Sequence, residues 1–343
     1  MTPGQIKRGV IFSVTVSITA ILIIIFFTRE NFSLSLLGRL RVTSLLAAAL
    51  ITVIFWLLRS LKLKLLMHGM GGEVGLHRIF AIYLASTFVA HVTPSSSGGL
   101  PFEIYFLHRE GLPVGKSTAL SVLDNMFTFF FFLAVGPVLL FSWGRYLNLG
   151  PEITGLFYVA AAGVTLFMVL SLFFVFRVDL LFGFLDRVLA TRLAKRFMQD
   201  STREKVYNYC KREIGRFREG LGILLQRKLV LVQVFLSTVV YWFFYLSLAP
   251  VLLHGLGIDI PLPPVILAQI IFNFIQPVFP TPGGSGGAEL GFAYLFKFLL
   301  PNYLLGIFVA VWRFFMFYAS LLAGGVFFVK LVRDTNYFQM AGE

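Results

Sequence analysis

Cysteine is almost absent. A single one, Cys210, in 343 residues excludes an intrachain disulfide and any metal site built on paired cysteines. Charge is scarce too: charged residues make up 13% of the chain and hydrophobic ones 58%. Soluble domains carry about 25% charged residues, so a water-soluble globular surface is excluded. Acidic residues number 16 against 29 basic, a net charge of +13. In a soluble chain that excess would point to nucleic acid. Here it fits basic loops on the cytoplasmic side, facing anionic headgroups, and no nucleic-acid partner is expected. His68, His77, His91, His108 and His254 are scattered, so neither a metal cluster nor a cofactor is expected. The roughly 10-residue alternation of an outer-membrane barrel is missing as well. What remains is an all-α integral membrane protein, a single membrane domain over residues 1–343.

Its apolar runs are interrupted twice in the same way. Pro280-Thr281-Pro282-Gly283-Gly284-Ser285-Gly286-Gly287-Ala288-Glu289 separates the apolar stretches 265–279 and 290–300. Thr93-Pro94-Ser95-Ser96-Ser97-Gly98-Gly99 follows the apolar run 79–92, with Glu103 beyond it. Aligning Thr93-Pro94 on Thr281-Pro282 puts Ser97-Gly98-Gly99 on Ser285-Gly286-Gly287. The flanking runs are shorter than the ~20 apolar residues that cross a bilayer. Broken backbone at membrane depth survives only where protein or a wet cavity covers it, and matching breaks in two halves mark transporter binding sites. The competing reading is two ordinary tight loops.

About six complete spans accompany the breaks, at 10–27, 42–58, 119–141, 153–176, 229–253 and 304–329. Lys7-Arg8 precede the first; Arg59, Lys62 and Lys64 follow the second; Lys330 and Arg333 close the last. The polar segment 178–228 reads as two basic amphipathic helices. The stripe of the second is Val206, Cys210, Ile214, Phe217, Leu221 and Leu224, and it opens at a capping box Ser201-Thr202-Arg203-Glu204. These helices lie either in the inner headgroup layer or packed on the protein itself. The tail 334–343 reads as disordered. Placing every basic region in the cytoplasm puts both termini inside and makes the breaks two re-entrant hairpins of opposite orientation. The unit span–hairpin–span then occurs over 42–141 and again, inverted, over 229–329.

These motifs resemble the family named for the transmembrane region of lysylphosphatidylglycerol synthase, also called flippase-like membrane proteins. The resemblance covers nearly the whole chain. The second break matches its P-x-P-G-G-x-G-x-x-E pattern, with Arg313 as the arginine of the next helix. The first break departs: Ser95-Ser96-Ser97 replaces a more glycine-rich run. Asp124-Asn125 stands where an acidic residue followed by arginine is usual, which leaves the first half without that cation. In the family's synthases a soluble aminoacyl-transferring domain follows the membrane region. None follows within residues 1–343, so the resemblance implies lipid translocation rather than lipid aminoacylation.

A lipid phosphate crossing a membrane needs a cation, N–H donors and a polar path. Helix N-termini after Gly98-Gly99 and Gly286-Gly287 supply donors and a positive dipole end. Arg313, deep in an apolar run, is the candidate cation, because guanidinium grips phosphate through a planar fork. The competing role is a structural ion pair with Glu289 or Asp124. Glu103, Asp124 and Glu289 are candidate proton carriers or ion-pair partners; the local alternative for Glu103 and Glu289 is first-turn stabilisation of a helix. The expected substrate site is therefore Thr93, Pro94, Ser95, Ser96, Ser97, Gly98, Gly99, Glu103, Asp124, Pro282, Gly283, Gly284, Ser285, Gly286, Gly287, Glu289 and Arg313. The expected partners are membrane lipids, phospholipid or polyprenyl phosphate in type, in the cell inner membrane, and no enzyme is expected. The alternatives are a membrane-embedded enzyme, for which Glu103 with His108 is the nearest acid–base pair, and a partner subunit of a lipid-modifying complex.

Overall fold

The computed structural model describes residues 3–28, 40–143, 200–276 and 279–335, with isolated positions between 155 and 183. The described elements are helical: α1 Pro3–Phe27, α2 Val42–Gly69, α3 Leu76–Val92, α4 Gly99–Arg109, α5 Val114–Trp143, α6 Asp200–Gln226, α7 Lys228–Gly255, α8 Leu262–Ile275, α9 Gly287–Phe296, α10 Asn302–Arg313 and α11 Ala319–Thr335. Among the described residues, five helical stretches are long and apolar enough to cross a membrane: Gly4–Phe27, Val42–Gly69, Val114–Leu139, Lys228–Gly255 and Asn302–Asp334. The chain is an all-α, multi-pass integral membrane protein. The expected span at 153–176, the loop before it and the first amphipathic stripe lie largely outside the described residues.

The two breaks form where helix cannot continue. The residue before a proline is driven out of the α region. Thr93 (φ −111°, ψ 144°) and Thr281 (φ −82°, ψ 154°) are both extended accordingly. Each is followed by one tight 3-10 turn, Pro94–Ser96 and Pro282–Gly284. The second and third residues of both turns are left-handed: Ser95 (φ 51°) and Ser96 (φ 55°) in one, Gly283 (φ 60°) and Gly284 (φ 67°) in the other. The turns share one backbone path, but the first makes it with serines. They diverge at the next position, where Ser97 is helical (ψ −24°) and Ser285 extended (ψ 138°).

The helices flanking the turns are short, 17 residues in α3 and 14 in α8. The two turns pack against each other, and the surrounding helices pair reciprocally: α3 with α11, α8 with α5, and α2 with α7. Between apolar helices in lipid there is little hydrophobic drive, so close packing does the work. Gly324 shows it: a methyl there would come within 2.3 Å of the Leu84 carbonyl oxygen, so α11 lies on the backbone of α3. Behind the second turn, Trp312 stacks on Phe292 with ring centroids 3.7 Å apart, and Phe272 meets both edge-on. These rings lock α8, α9 and α10 together.

Arg78 and Glu110, at the two ends of the α3–α4 segment, pair at 2.6 Å, and Arg78 also reaches Asp334 at 3.4 Å. The α3–α4 segment therefore leaves and returns at one end of the molecule, beside the end of α11. Asp334 is helical there, not part of a disordered tail; 336–343 lie outside the described residues. Lys116 at the start of α5 pairs with Glu219 of α6 at 2.7 Å, which brings α6 to the start of α5.

Two expectations change. Helix α2 does not end at Leu58 but runs to Gly69, and Arg59 and Lys62 are not a solvated flank but turn inward. In α6 the capping box is not made, because Ser201 is already inside the helix. Of the two placements left open for this stripe, the structure takes the packed one: Leu221 and Leu224 are buried with Leu63, Leu66 and Met67 of α2, and the Glu213 carboxylate accepts the Gly115 N–H at 2.8 Å.

A non-glycine residue held left-handed costs about 1–2 kcal/mol. Ser96→Gly should therefore raise the thermal unfolding midpoint, by about 1 kcal/mol once the added chain entropy is set against it. Gly283→Ala should lower it, because its methyl would sit 2.5 Å from a Phe317 ring carbon. Tryptophan fluorescence melting in detergent reads both; a lower midpoint for Ser96→Gly would contradict the strain.

Candidate functional site

The second break and the helix after it converge on Arg313. Its Nε pairs with Glu289 Oε1 at 2.7 Å. Its Nη2 donates to the Gly283 carbonyl at 3.0 Å and to Ser285 Oγ at 3.2 Å. The guanidinium carbon lies 4.1 Å from the centre of the Phe317 ring. Arg313 closes α10, and a single π turn, Phe314–Tyr318, follows it and bulges the helix. Such bulges recur at functional positions in helices.

Glu289 is held on three sides. Its Oε1 accepts the Ser17 hydroxyl of α1 as well as the Arg313 contact, and its Oε2 accepts the Gly286 N–H at 2.7 Å. Tyr318 donates in turn to Ser17 Oγ at 2.9 Å. A first-turn carboxylate satisfying an N-terminal N–H is the local role weighed for Glu289. The structure gives it that role and the ion pair together. Ser17, Ser285 and Glu289 are 0% exposed and Arg313 is 3% exposed. Gly283 matters sterically: besides Phe317, a methyl there would meet the His91 carbonyl oxygen at 3.0 Å, so the second turn sits directly on the end of α3.

The first half builds a different cluster. Asp124 of α5 receives both Arg59, through Oδ2, and Lys62 Nζ, at 2.8 Å from Oδ1. The two cations are three residues apart on α2, hence on one face. The cation that Asp124-Asn125 does not supply in sequence thus arrives from the preceding helix. Arg313 does not reach Asp124 but pairs with Glu289. Glu103, buried on α4 and beyond its first turn, accepts the Ser121 hydroxyl at 3.1 Å. His108 turns away to the Leu112 carbonyl at 3.0 Å, so the acid–base pair considered for an enzyme is not formed.

Pro94, Ser95, Ser96 and Ser97 are exposed, whereas Gly283, Gly284 and Ser285 are buried. Ser97 therefore does not mirror the contact Ser285 makes with Arg313. Thr93 closes its own turn, its Oγ1 accepting the Gly98 N–H at 3.0 Å. Thr281 closes the other, donating to the Ser285 carbonyl at 2.7 Å. Gly99 packs on Ala90, and Gly287 on the Phe279 ring.

A cavity of about 150 Å³ joins the two halves. Its walls are the rings of Phe55, Trp56, Tyr83, Tyr241, Tyr245, Phe272 and Trp312, with Thr87, His91, Gln276, Arg313 and Ser320 as polar groups. Lys62 Nζ lies 5.7 Å from the centre of the Tyr241 ring, and the Arg59 guanidinium 5.9 Å from that of Tyr83. One end of the cavity is thus Arg313 and the other backs onto the α2 cations. His91 Nε2 meets Ser320 Oγ at 3.1 Å, and its buried Nδ1 has no hydrogen-bond partner among the described residues. A larger surface depression near Asp259 shares no residue with either charge cluster.

Sequence reasoning missed Arg59, Lys62, Ser17, Tyr318 and the aromatic walls. The i,i+3 spacing of Arg59 and Lys62, with an unmatched Asp124 in an apolar run, was a usable signal. Ser17 and Tyr318 are neutral and carry none.

Removing one member of a buried ion pair strands the other and costs about 3–5 kcal/mol. Glu289→Ala should destabilise the protein by that order, and Glu289→Ala with Arg313→Met should recover much of it. A double-mutant cycle on thermal unfolding measures the coupling; additive effects would contradict the pair.

Comparison with known proteins agrees with the motifs. Residues 10–324 match the family described as the lysylphosphatidylglycerol synthase TM region. A UPF0104 membrane protein of Archaeoglobus fulgidus is 29% identical over 316 residues, covering 91% of this chain and 94% of its own. No solved structure matches. The chain belongs to the lysylphosphatidylglycerol synthase TM-region family, whose name places it among lipid-related membrane proteins.

Proposed function

We propose that this family member is a lipid transporter, moving an anionic, phosphate-bearing lipid between leaflets of the cell inner membrane. The observation that carries the reading is Arg313. Burying an arginine in the hydrocarbon costs about 2.5–3.5 kcal/mol even on the mildest scale, so a buried one is kept for a purpose. Here Nε and Nη2 are held by Glu289, Gly283 and Ser285, while Nη1 has no partner among the described residues and Arg313 lines the cavity. A guanidinium fixed on two edges presents the third without further ordering cost, which is preorganisation for an oxyanion.

The substrate path in this reading runs between the two turns. The short lengths of α3 and α8 and the contact of the turns support two re-entrant hairpins that meet inside the bilayer. The reciprocal pairing of α3 with α11 and α8 with α5 supports an inverted repeat of 42–141 and 229–329. Ion pairs gather the base of the first hairpin, the start of α5, α6 and the end of α11 at one end of the molecule. Placing that basic end in the cytoplasm puts both termini there and opens the second hairpin to the opposite side. The lipid tails stay in the bilayer while the phosphate crosses by Arg313.

The test is transport of NBD-phosphatidylglycerol in phosphatidylcholine vesicles, followed by dithionite quenching. Wild type should exceed protein-free vesicles and favour this lipid over NBD-phosphatidylcholine. Arg313→Ala should abolish the excess. Arg313→Lys keeps the charge but loses the fork, and should retain only part of it. Folded variants moving lipid at the wild-type rate would make Arg313 purely structural.

A further inference from the structure

Three carboxylates lie buried in the membrane core, and they are not equivalent. Glu289 is fixed by Arg313, Ser17 and Gly286. Asp124 is fixed by Arg59 and Lys62. Glu103 is 5% exposed, yet its one hydrogen bond is from Ser121, and it has no ion-pair partner among the described residues. It stands within electrostatic reach of Arg59 and Lys62 on α2 and Asp124 on α5, and of Tyr83 on α3. The α11 neighbour of its helix is apolar, with Phe328 against Phe102.

We propose that Glu103 is the proton-carrying group of the transport cycle, so that one proton crosses with each lipid anion. This rests on the transport reading above. The argument is charge counting in a low dielectric. Arg59 and Lys62 contribute two positive charges and Asp124 one negative. With Glu103 protonated the cluster carries one net positive charge; with Glu103 ionised it carries none. A net charge so deep is expensive without a counterion. The cluster backs onto the cavity through Tyr83 and Tyr241, so a lipid phosphate in the cavity supplies that counterion. Protonation of Glu103 and arrival of the phosphate therefore stabilise each other. Departure of the phosphate favours release of the proton from the Glu103 carboxyl to water. No bond other than this O–H is made or broken. A singly charged lipid with one proton moves without net charge, so a pH gradient drives it and a membrane potential does not.

Glu103 has the surroundings for this exchange. Its oxygens are not locked by a fixed cation, so gaining a proton breaks no ion pair. Ser121 donates to the ionised form and can accept from the protonated one by rotating its hydroxyl. Glu289, by contrast, would have to surrender Arg313.

The experiment uses the full chain in phosphatidylcholine vesicles carrying NBD-phosphatidylglycerol, with a pH gradient imposed in one arm and a potassium diffusion potential in the other. In wild type the leaflet distribution should shift by up to about tenfold per pH unit, the limit for one coupled proton, and should ignore the potential. In Glu103→Gln, which cannot ionise, the ratio with and without a pH gradient should fall to one, and the potential should now shift the distribution. Glu103→Asp should keep the pH response but move the pH of its midpoint, which covers the case where Glu103→Gln fails to fold. Infrared spectra of the same vesicles should show a protonated-carboxyl band lost in Glu103→Gln. Lipid movement above protein-free vesicles that ignores the gradient would overturn the coupling and leave the transport reading standing. A gradient response kept in Glu103→Gln, or a midpoint unmoved in Glu103→Asp, would overturn the assignment to Glu103. No movement above protein-free vesicles would overturn both.

Discussion

The structure turns on one interaction, the buried pair of Arg313 and Glu289. A charge in hydrocarbon has to be compensated locally, and the compensation here draws in four separate parts of the chain. Glu289 comes from α9, the Gly283 carbonyl and Ser285 from the turn, Ser17 from α1 and Phe317 from the π turn. Each is where it is because the second turn breaks the helix at that point. A continuous helix through 282–287 would spend the Gly283 carbonyl on its own ladder and carry Ser285 out of reach. The break that looks like a cost in backbone hydrogen bonding is what lets backbone and side chain solvate the cation together. The Trp312–Phe292 stack and the Gly324 contact then serve to keep that geometry fixed.

The first half solves the same problem differently, and the difference is informative. Its turn follows the same left-handed path but with Ser95 and Ser96, and it is exposed rather than enclosed. Its charges are not at the turn at all but on α2 and α5, around Asp124. One half therefore presents a locked cation and the other a cluster whose net charge depends on a carboxyl held by a single hydroxyl. An anion path between them has a fixed pole and an adjustable one. The aromatic walls of the cavity give the space between these poles a low dielectric, in which a change of one charge at Glu103 is felt strongly.

Much of this was legible before the structure. Thr-Pro and the glycine runs cannot sit in a helix, so both breaks could be read, and their conformations agree residue by residue through the turn. Arg313 stood out because no neighbour in its run shares its polarity. The positions of Arg59 and Lys62 were misread because a charge near the end of an apolar run is ordinarily a solvated flank. Only the tertiary partner, Asp124, shows that α2 continues and faces them inward. Ser17 joins the site from 272 positions away in sequence, and the cavity draws its rings from helices along the whole chain. Contacts of that range leave no periodic trace. The family resemblance fixed the motif around Arg313 but not the first-half cations, since Asp124-Asn125 departs from its pattern.

The central claim is that a lipid phosphate meets Arg313 in the cavity between the two turns. The most direct measurement is an experimental structure of the protein in lipid nanodiscs containing phosphatidylglycerol. The account predicts a lipid phosphate within hydrogen-bond distance of Arg313 Nη1, about 2.7–3.2 Å, with Arg313 still on Glu289 and the aromatic walls around the headgroup. Lipid phosphates bound only at the outer surface of the helices, with the cavity filled by side chains and Arg313 closed off, would contradict it.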